Sequence, residues 1–332
     1  PTRASASALD WRVMHTSEDS RDDSASMSTR AGHVALVGRP NVGKSTLLNA
    51  FMGEKLSIVT PRAQTTREAV TGILTTDLAQ LVFIDTPGLL APTYALQRAM
   101  LGWALEALAG ADVVLLLLDA TRPAEVPDDT ALEALRRRRT ELIVVVNKTD
   151  AATAEAVAEL SAWSVRELGA QSIAISAATG TGVSALRDAL VERLPRSPFL
   201  FPDDDLAVQS VRFFVTELVR ETIFEEYEQE VPYSTAVKIE EYREADDPIY
   251  IRATIYVERE SQKRIVIGRG GEGIKRLGER ARAKIEAFVG RRVYLDLWVK
   301  PLANWRRKTN TLQYLGYPVP RDEAPDESPH RS

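Results

Sequence analysis

The apolar residues of this chain follow two different patterns on either side of a proline-rich stretch at 195–205. Before it, short continuous apolar runs such as 113–118 alternate with segments whose apolar positions recur at helical spacing. Continuous apolar strands that alternate with helices are typical of a mostly parallel sheet covered on both faces. The sequence therefore predicts an α/β fold here, with strands over 33–37, 72–74, 80–85, 113–119, 142–147 and 172–176, and helices over 44–52, 97–109, 128–139, 154–168 and 183–194.

After the stretch, the pattern predicts a second, α+β unit. Residues 195–205 (PRSPFLFPDDD) contain three prolines and three consecutive aspartates, which is typical of a linker. The predicted elements that follow are a helix over 208–227, strands over 234–242 and 249–259, a Gly-rich turn over 268–271, a helix over 274–289 and a strand over 292–300.

Both ends of the chain are polar. Residues 1–30 and 317–332 contain many charged and small polar residues and few large apolar ones, so we predict that they are disordered. The N-terminal stretch has no apolar signal-peptide core, and no apolar run approaches the about 20 residues of a membrane span. We therefore expect a cytoplasmic protein without a transmembrane segment. The absence of cysteine excludes disulfides and a thiol nucleophile.

The net charge of −5 conceals a basic block. Residues 258–310 contain 15 Lys and Arg against 6 Asp and Glu. Clustered cations attract phosphate chains, so the block is a candidate nucleic-acid surface. Taken alone, a solvated basic surface is the favoured interpretation.

The strongest motif is GRPNVGKS at 38–45, which fits G-x-x-x-x-G-K-S between a predicted strand and a predicted helix. Gly38 and Gly43 allow the backbone N–H groups to surround phosphate oxygens, and the helix N-terminus favours negative charge. Lys44 would reach the β- and γ-phosphates, and Ser45 would offer its hydroxyl to Mg²⁺. The predicted nucleotide-binding residues of this loop are Gly38, Arg39, Pro40, Asn41, Val42, Gly43, Lys44, Ser45 and Thr46.

Three further motifs follow at predicted strand ends, where ligands of open α/β sheets bind. Asp85 of DTPG (85–88) would hold a magnesium-bound water, and the Gly88 N–H would meet the γ-phosphate. Asp150 of NKTD (147–150) can accept from the two N–H groups of guanine, which adenine does not offer. The four motifs in this order indicate GTP, and the last three add Asp85, Thr86, Pro87, Gly88, Asn147, Lys148, Asp150, Ser176, Ala177 and Ala178, with the Ala177 backbone contacting the guanine oxygen.

The groups that drive hydrolysis are only partly visible in the sequence. Thr65 or Thr66 could coordinate Mg²⁺, and we prefer Thr66. No side chain directly after Gly88 can orient a water as a Gln does in related enzymes. Asn41 is therefore a candidate ligand for a potassium ion beside the β/γ bridge, where a cation would neutralise developing charge; a plain turn residue is an equally good interpretation. The predicted catalytic residues are Lys44, Thr66, Asp85 and Gly88.

The basic block contains a candidate RNA-binding loop. Gly268-x-x-Gly271, which we place between an apolar strand and a helix, fits the GXXG loop with which KH domains clamp about four nucleotides. The predicted RNA-binding residues are Gly268, Arg269, Gly270, Gly271, Lys275, Arg276 and Arg280. Trp298 and Trp305 could stack on bases, although core packing is the favoured interpretation for Trp298 and an equal one for Trp305.

Together with QTTR (64–67), QEVPYSTAV (229–237) and VIGRGGEGIK (266–275), these motifs make residues 32–316 resemble the Era family of GTPases. The resemblance implies a Ras-like P-loop GTPase domain over 31–195, a linker over 196–206 and a type II KH domain over 207–316. It further implies binding to the 3′ end of small-subunit (16S) rRNA, a role in assembling that subunit, and some peripheral membrane association. One departure is Leu90-Ala91-Pro92, where the family carries His-x-Pro.

The resulting hypothesis is a GTP switch whose Mg²⁺-dependent loops change the pose or the affinity of the RNA-binding domain. Two alternatives stay open at this point. The GTPase domain could be a binding module with negligible turnover on an RNA chaperone. The basic block could instead dock on anionic lipid, although lipid attraction requires charge and no GXXG loop.

Overall fold

A computed structural model of the protein describes residues 29–59, 65–138 and 140–317. The predictions for Gln64 and for residues 1–28 and 318–332 lie outside the described residues. The first sheet has the order β2-β3-β1-β4-β5-β6, and every pair is parallel except β2 with β3. Its strands are β1 (Arg30–Gly38), β2 (Val70–Thr75), β3 (Ala79–Asp85), β4 (Val113–Asp119), β5 (Glu141–Asn147) and β6 (Ser172–Ala174).

Helices cover both faces of this sheet, which confirms the predicted α/β fold. The central strand β4 is buried at every position, because its side chains alternate between two apolar layers. One layer packs on α1 and α5, and the other on α2, α3 and α4. The helices are α1 (Lys44–Met52), α2 (Ala95–Gly110), α3 (Asp129–Arg137), α4 (Ala154–Leu168) and α5 (Val183–Arg193).

The second sheet has three strands in the order β7-β8-β9, with β7 antiparallel and β9 parallel to β8. One face packs against two long helices around buried Val215, Ile255 and Leu277. The elements of this unit are α6 (Val211–Glu226), α7 (Val231–Ser234), β7 (Ala236–Arg243), β8 (Ile249–Val257), α8 (Glu260–Ile267), α9 (Glu272–Val289), β9 (Val293–Pro301) and α10 (Thr309–Tyr314).

Helix α8 corrects the sequence analysis, which expected an apolar strand before Gly268. The side chain of Gln262 accepts the backbone N–H groups of Glu258 and Arg259, both at 3.0 Å, and so starts a helix where the chain leaves β8. Val266 is buried while Ile265 is exposed, as one-sided helical packing requires. The Gly-rich turn therefore connects two helices.

The predicted linker lies along the first sheet. The side chain of Gln80 accepts the backbone N–H groups of Leu200 and Phe201 at 2.7 and 2.9 Å. The Ile73 N–H donates to the Leu206 carbonyl at 2.9 Å. These bonds hold the segment against β2 and β3 before α6 begins.

A further apolar cluster, which we call the interdomain cluster, lies where helix α2 of the first unit meets the second unit. Leu96, Met100 and Trp103 of α2 pack there with Tyr256 and with buried Trp305. Trp305 also donates its indole N–H to the Ser234 carbonyl at 2.8 Å. The first helix after the DTPG motif therefore packs directly on the second unit. Among the described helices, none has the length and apolar character required to cross a membrane.

Candidate functional site

The GRPNVGKS loop lies between the end of β1 and the start of α1. Gly38 and Gly43 have φ angles of 147° and 101°, which favour glycine. A Cβ at Gly38 would lie 2.5 Å from the Leu117 carbonyl oxygen, and one at Gly43 would lie 2.2 Å from the side-chain nitrogen of Asn147. Both glycines are therefore required by neighbouring atoms as well as by the backbone angles.

Lys44 is buried beneath this loop. Its ammonium donates to the carbonyls of Gly38 and Arg39 at 3.2 and 2.9 Å. Burial lowers the pKa of Lys44 to about 8, an effect that the charge of Asp85 opposes. Burial likewise raises the pKa of Asp85, which Lys44 opposes. An anion beside Lys44 would stabilise its charged form, as expected of a phosphate ligand.

Three oxygen-bearing side chains converge next to Lys44. The Ser45 hydroxyl lies 2.6 Å from a carboxylate oxygen of Asp85 and 3.0 Å from the Thr66 hydroxyl. The other carboxylate oxygen of Asp85 is buried without a hydrogen-bond partner among the described residues. Hard oxygen donors of this kind suit Mg²⁺, so the geometry fits the predicted magnesium site. It also favours Thr66 over Thr65.

Asn147 connects two of the predicted nucleotide loops. Its amide nitrogen donates to the Val42 carbonyl at 2.8 Å, and its amide oxygen accepts the Ala177 N–H at 2.9 Å. Lys148 adds bonds to the Asn41 carbonyl and to Asp119, each 2.6 Å long. Asp150 follows in a short 3-10 helix with its side chain exposed.

These contacts bear on one prediction of the sequence analysis. We expected the Ala177 backbone to contact the guanine oxygen, but its N–H is donated to Asn147. Ala178, the next residue, is exposed, and its N–H has no backbone partner within the described ranges. Ser176 is buried, and its hydroxyl accepts the Thr179 N–H at 3.2 Å. The Ala178 N–H is therefore the better candidate for the donor to the base.

An open cavity of about 400 Å³ lies over these loops. Residues from three of the four motifs line it together with Thr65 and Thr66 of the QTTR segment. The lining residues in those motifs are Pro40, Asn41, Gly43, Lys44, Ser45, Thr46, Gly88 and Lys148. Asn41 has a φ of 63°, so it occupies a left-handed position in the loop.

The DTPG loop packs against the phosphate loop. Thr86 is buried and donates its hydroxyl to the Leu36 carbonyl at 2.7 Å. After Pro87 and Gly88, the Leu89 N–H donates to the Gly38 carbonyl at 2.9 Å, which turns the Leu89 side chain into the core. No side chain directly after Gly88 is thus placed to orient a water.

The Gly-rich turn between α8 and α9 is an exposed loop with unusual backbone angles. Gly268, Gly270 and Gly271 all have positive φ, from 60° to 88°. A Cβ at Gly268 would lie 2.6 Å from the Gly273 nitrogen. Arg269 and Lys275 are exposed, and neither has an ion-pair partner in the part of the chain that the structure describes.

The other two predicted RNA-binding side chains are differently placed. Arg276 and Arg280 both pair with Glu226 of α6, the former at 2.7 Å. One turn further along, Lys284 pairs with Glu221 and Glu225 at 2.8 and 2.7 Å. These three basic residues of α9 thus form a row of ion pairs with α6, which we call the charge ladder and which the sequence analysis missed.

The two tryptophans lie in different surroundings. Trp298 is 53% exposed on the outer face of β9, so the favoured core assignment is wrong there. Trp305 is fully buried in the interdomain cluster. Arg67 is the main residue that sequence reasoning missed: it follows Thr66 directly, yet it is buried against α7.

Comparison with known proteins gives the same two-part division. Residues 33–148 match a family described as 50S ribosome-binding GTPase, and residues 230–306 match the KH domain family. The chain is 41% identical over 294 residues to the GTPase Era of Carboxydothermus hydrogenoformans, a match that covers 88% of this chain and 99% of that protein. The GTPase Era of Thermotoga maritima is 43% identical over 286 residues, covering 85% and 95%.

Two solved structures cover the same part of the chain. One is Aquifex aeolicus Era Y63A bound to GDP·AlF4⁻, with 37% identity and a TM-score of 0.81. The other is Era in complex with MgGDPNP and nucleotides 1506–1542 of 16S ribosomal RNA, with 38% identity and a TM-score of 0.83. Each match covers 88% of this chain and 100% of the solved chain.

Proposed function

The chain belongs to the Era family of GTPases, and on that premise we propose that it is a GTP-hydrolysing switch that binds the 3′ end region of 16S rRNA and assists assembly and maturation of the small ribosomal subunit. One matched family is described by the large subunit, but its match ends at residue 148. The solved relative with small-subunit RNA matches both domains, so we propose the small subunit as the partner.

The observation that carries the RNA half of the proposal is the exposed loop at Gly268–Gly271. Its backbone N–H groups lie at the start of α9, where phosphate oxygens are favoured. Arg269 and Lys275 bring positive charge to the same place. A Cβ added to Gly270 or to Gly271 would have no other atom within 4 Å, so the space beside both residues is open and an RNA backbone can approach them closely.

The nucleotide half assigns roles to the converged side chains. Ser45 and Thr66 would hold Mg²⁺ directly and Asp85 through a water, and the ion supplies charge neutralisation at the β- and γ-phosphates when bound. Lys44 would donate to the same phosphates, and the Gly88 N–H to the γ-phosphate. Asp150 and the Ala178 N–H would select guanine, while Asn147 and Lys148 hold their loops together.

Potassium at Asn41 is a finer part of the proposal. DTPG is followed by Leu89, which points into the core, so another group has to offset the charge that develops during hydrolysis. A monovalent cation held by Asn41 would do this. Turnover in potassium compared with sodium buffer tests the idea, and equal rates in the two buffers exclude it.

The experiment that tests the main proposal measures RNA binding and GTP turnover on the same purified chain. The RNA copies the 3′ region present in the solved relative, and a scrambled strand of equal length serves as control. We expect Arg269→Ala with Lys275→Ala to weaken binding of the copied strand by about tenfold, because each lost charge contributes to binding. GTP turnover without RNA should stay unchanged.

Two results would overturn the proposal in different ways. Measurable RNA binding without turnover in any buffer favours an RNA chaperone with a silent nucleotide domain. Equal binding of both strands, together with stronger binding to anionic vesicles, favours a membrane-surface protein. Cytoplasmic location stays a prediction from the sequence, and peripheral membrane contact stays one from the family resemblance. Sedimentation with vesicles against an RNA competitor tests the membrane contact.

A further inference from the structure

Arg67 is a buried cation that donates hydrogen bonds to carbonyls of the other domain. It follows Thr66 directly and is 2% exposed. Its guanidinium donates to the carbonyls of Thr235, Pro232 and Tyr233 at 2.6, 3.2 and 3.1 Å. It also lies 5.5 Å from the ring centre of Trp305. A planar guanidinium can serve several acceptors at once, which an ammonium does less well.

Arg220 makes the matching contact on the other side of Thr66. This residue of α6 is 3% exposed, and its guanidinium donates to the Thr65 carbonyl at 2.7 Å. Glu217, one turn earlier on α6, pairs with it. The second domain therefore contacts the residue before Thr66 and the residue after it.

Within the described residues around it, Thr66 belongs to no helix or strand. Residues 65–69 form neither helix nor strand, and β2 begins only at Val70. The Thr66 hydroxyl nevertheless lies 3.0 Å from that of Ser45, which in turn lies 2.6 Å from Asp85. The two interdomain arginine contacts supply the fixed points on either side of this hydroxyl.

We propose that Arg67 and Arg220 are positioning residues for GTP hydrolysis, through which the docked KH domain holds Thr66 beside Ser45. The inference rests on the proposed role of Thr66 as a Mg²⁺ ligand. If the inference holds, the nucleotide site is complete only while α7 and α6 stay in contact with residues 65–67. Any RNA that pulls these elements away would weaken GTP binding, and GTP would tighten the domain contact by the same factor.

The test compares Arg67→Lys, Arg67→Ala and Arg220→Lys with wild type. Affinities for a non-hydrolysable GTP analogue and for GDP are measured with Mg²⁺ and with a chelator. The Mg²⁺-dependent gain is the ratio of the affinity for the GTP analogue with Mg²⁺ to that with the chelator. We expect this ratio to be about tenfold smaller in Arg67→Lys than in wild type, because hydrogen bonds to a charged group contribute at least this much. GDP affinity should stay within about twofold, which also shows that each variant is folded.

Arg212→Ala is the matched control. Arg212 lies on the same helix as Arg220, 5.7 Å from the Tyr242 ring centre, and donates to the Tyr242 carbonyl at 3.4 Å. Its contacts resemble those of Arg67 but stay within one domain, so its Mg²⁺-dependent gain should equal that of wild type.

Outcomes for this inference and for the proposed function are separable. If wild type hydrolyses GTP and binds the RNA, but the Arg67 variants keep the full Mg²⁺-dependent gain, only the positioning role is overturned. A wild type that shows no Mg²⁺-dependent preference for the GTP analogue overturns the role of Thr66 itself. Loss of GTP-analogue and GDP affinity to the same extent also overturns the positioning role, because it indicates general damage.

Discussion

Gly88 lies directly against the backbone and the ring of Pro40, so that the DTPG loop and the phosphate loop touch. A Cβ built on Gly88 would be 2.6 Å from the backbone nitrogen of Pro40, closer than real Cβ contacts occur. Backbone atoms on both sides leave no flexible group that could move aside. The close approach brings Gly88 to the cavity that Lys44 and Ser45 also line.

We predict that Gly88→Ala separates the two loops and lowers kcat for GTP hydrolysis by at least about tenfold, because misplacement by an ångström is costly in an active site. GDP affinity should change much less, since GDP has no γ-phosphate for Gly88 to meet. Gly102→Ala is the control: nothing lies within 4 Å of its built Cβ in α2. That variant should keep wild-type turnover and gain slightly in stability, and equal kinetics for the two variants would contradict the prediction.

Asp150 is predicted to select the base. Asp150→Asn replaces an acceptor of two guanine N–H groups by an amide, which can instead donate to the second carbonyl of xanthine. We expect GTP affinity to fall by about 10²-fold or more and xanthosine triphosphate to become the preferred nucleotide. Competition binding with GTP, ATP and xanthosine triphosphate measures the change. Unaltered preference for GTP would remove Asp150 from the base site.

Asn147→Ala provides the contrast to that substitution. It breaks the link between the Val42 carbonyl and the Ala177 N–H and leaves both groups buried without a partner. We expect a loss of about 1–3 kcal/mol in the free energy of unfolding, together with weaker binding of every nucleotide and no change in base preference. Chemical unfolding and the same competition assay test it; a switch in base preference would be inconsistent with a bracing role.

How far the sequence predicts this molecule depends on the range of the interactions concerned. The Ser45 and Asp150 motifs sit at strand ends, and strand ends are readable because apolar runs and turns are local signals. Helix α8 was missed because its run at 265–267 looks like the end of a strand. The usable signal was Gln262, whose position three residues after Arg259 is that of a capping side chain.

The interdomain contacts had no comparable signal. Arg67 finds its acceptors about 165 residues further along the chain. These acceptors are backbone carbonyls, which every residue has, so no residue type in the sequence marks them. Arg276 and Arg280 were visible as candidate RNA-binding residues, but Glu226, which neutralises them, comes from another helix. Trp298 and Trp305 were likewise assigned from residue type, whereas their burial depends on which sheet face is covered.

The charge ladder between α6 and α9 makes stability depend on acidity. A hydrogen bond from Arg276, followed by one from Arg280, lowers the pKa of Glu226 below its ordinary value of 4.5. A carboxyl with a lowered folded-state pKa stabilises the fold above its ordinary pKa, and this contribution disappears as the pH falls through the lowered value. Thermal unfolding should therefore give a higher Tm for wild type than for Glu226→Gln at neutral pH. This difference in Tm should disappear below pH about 4.5. The control substitution is Glu228→Gln, at an exposed position that has no ion pair among the described residues.

We predict that the same ladder limits how strongly RNA is bound. Glu226 is 5% exposed at its side chain and neutralises Arg276 and Arg280, each more than half exposed. If Glu226 limits their attraction for phosphate, Glu226→Gln should strengthen binding of the 3′ rRNA strand and steepen its salt dependence. The slope of log K against log salt should grow by about 0.7 for each arginine that gains a phosphate contact. Adding Arg276→Ala to Glu226→Gln should remove half of that increase in slope. An unchanged slope in Glu226→Gln would show that both arginines serve only the packing of α9 on α6.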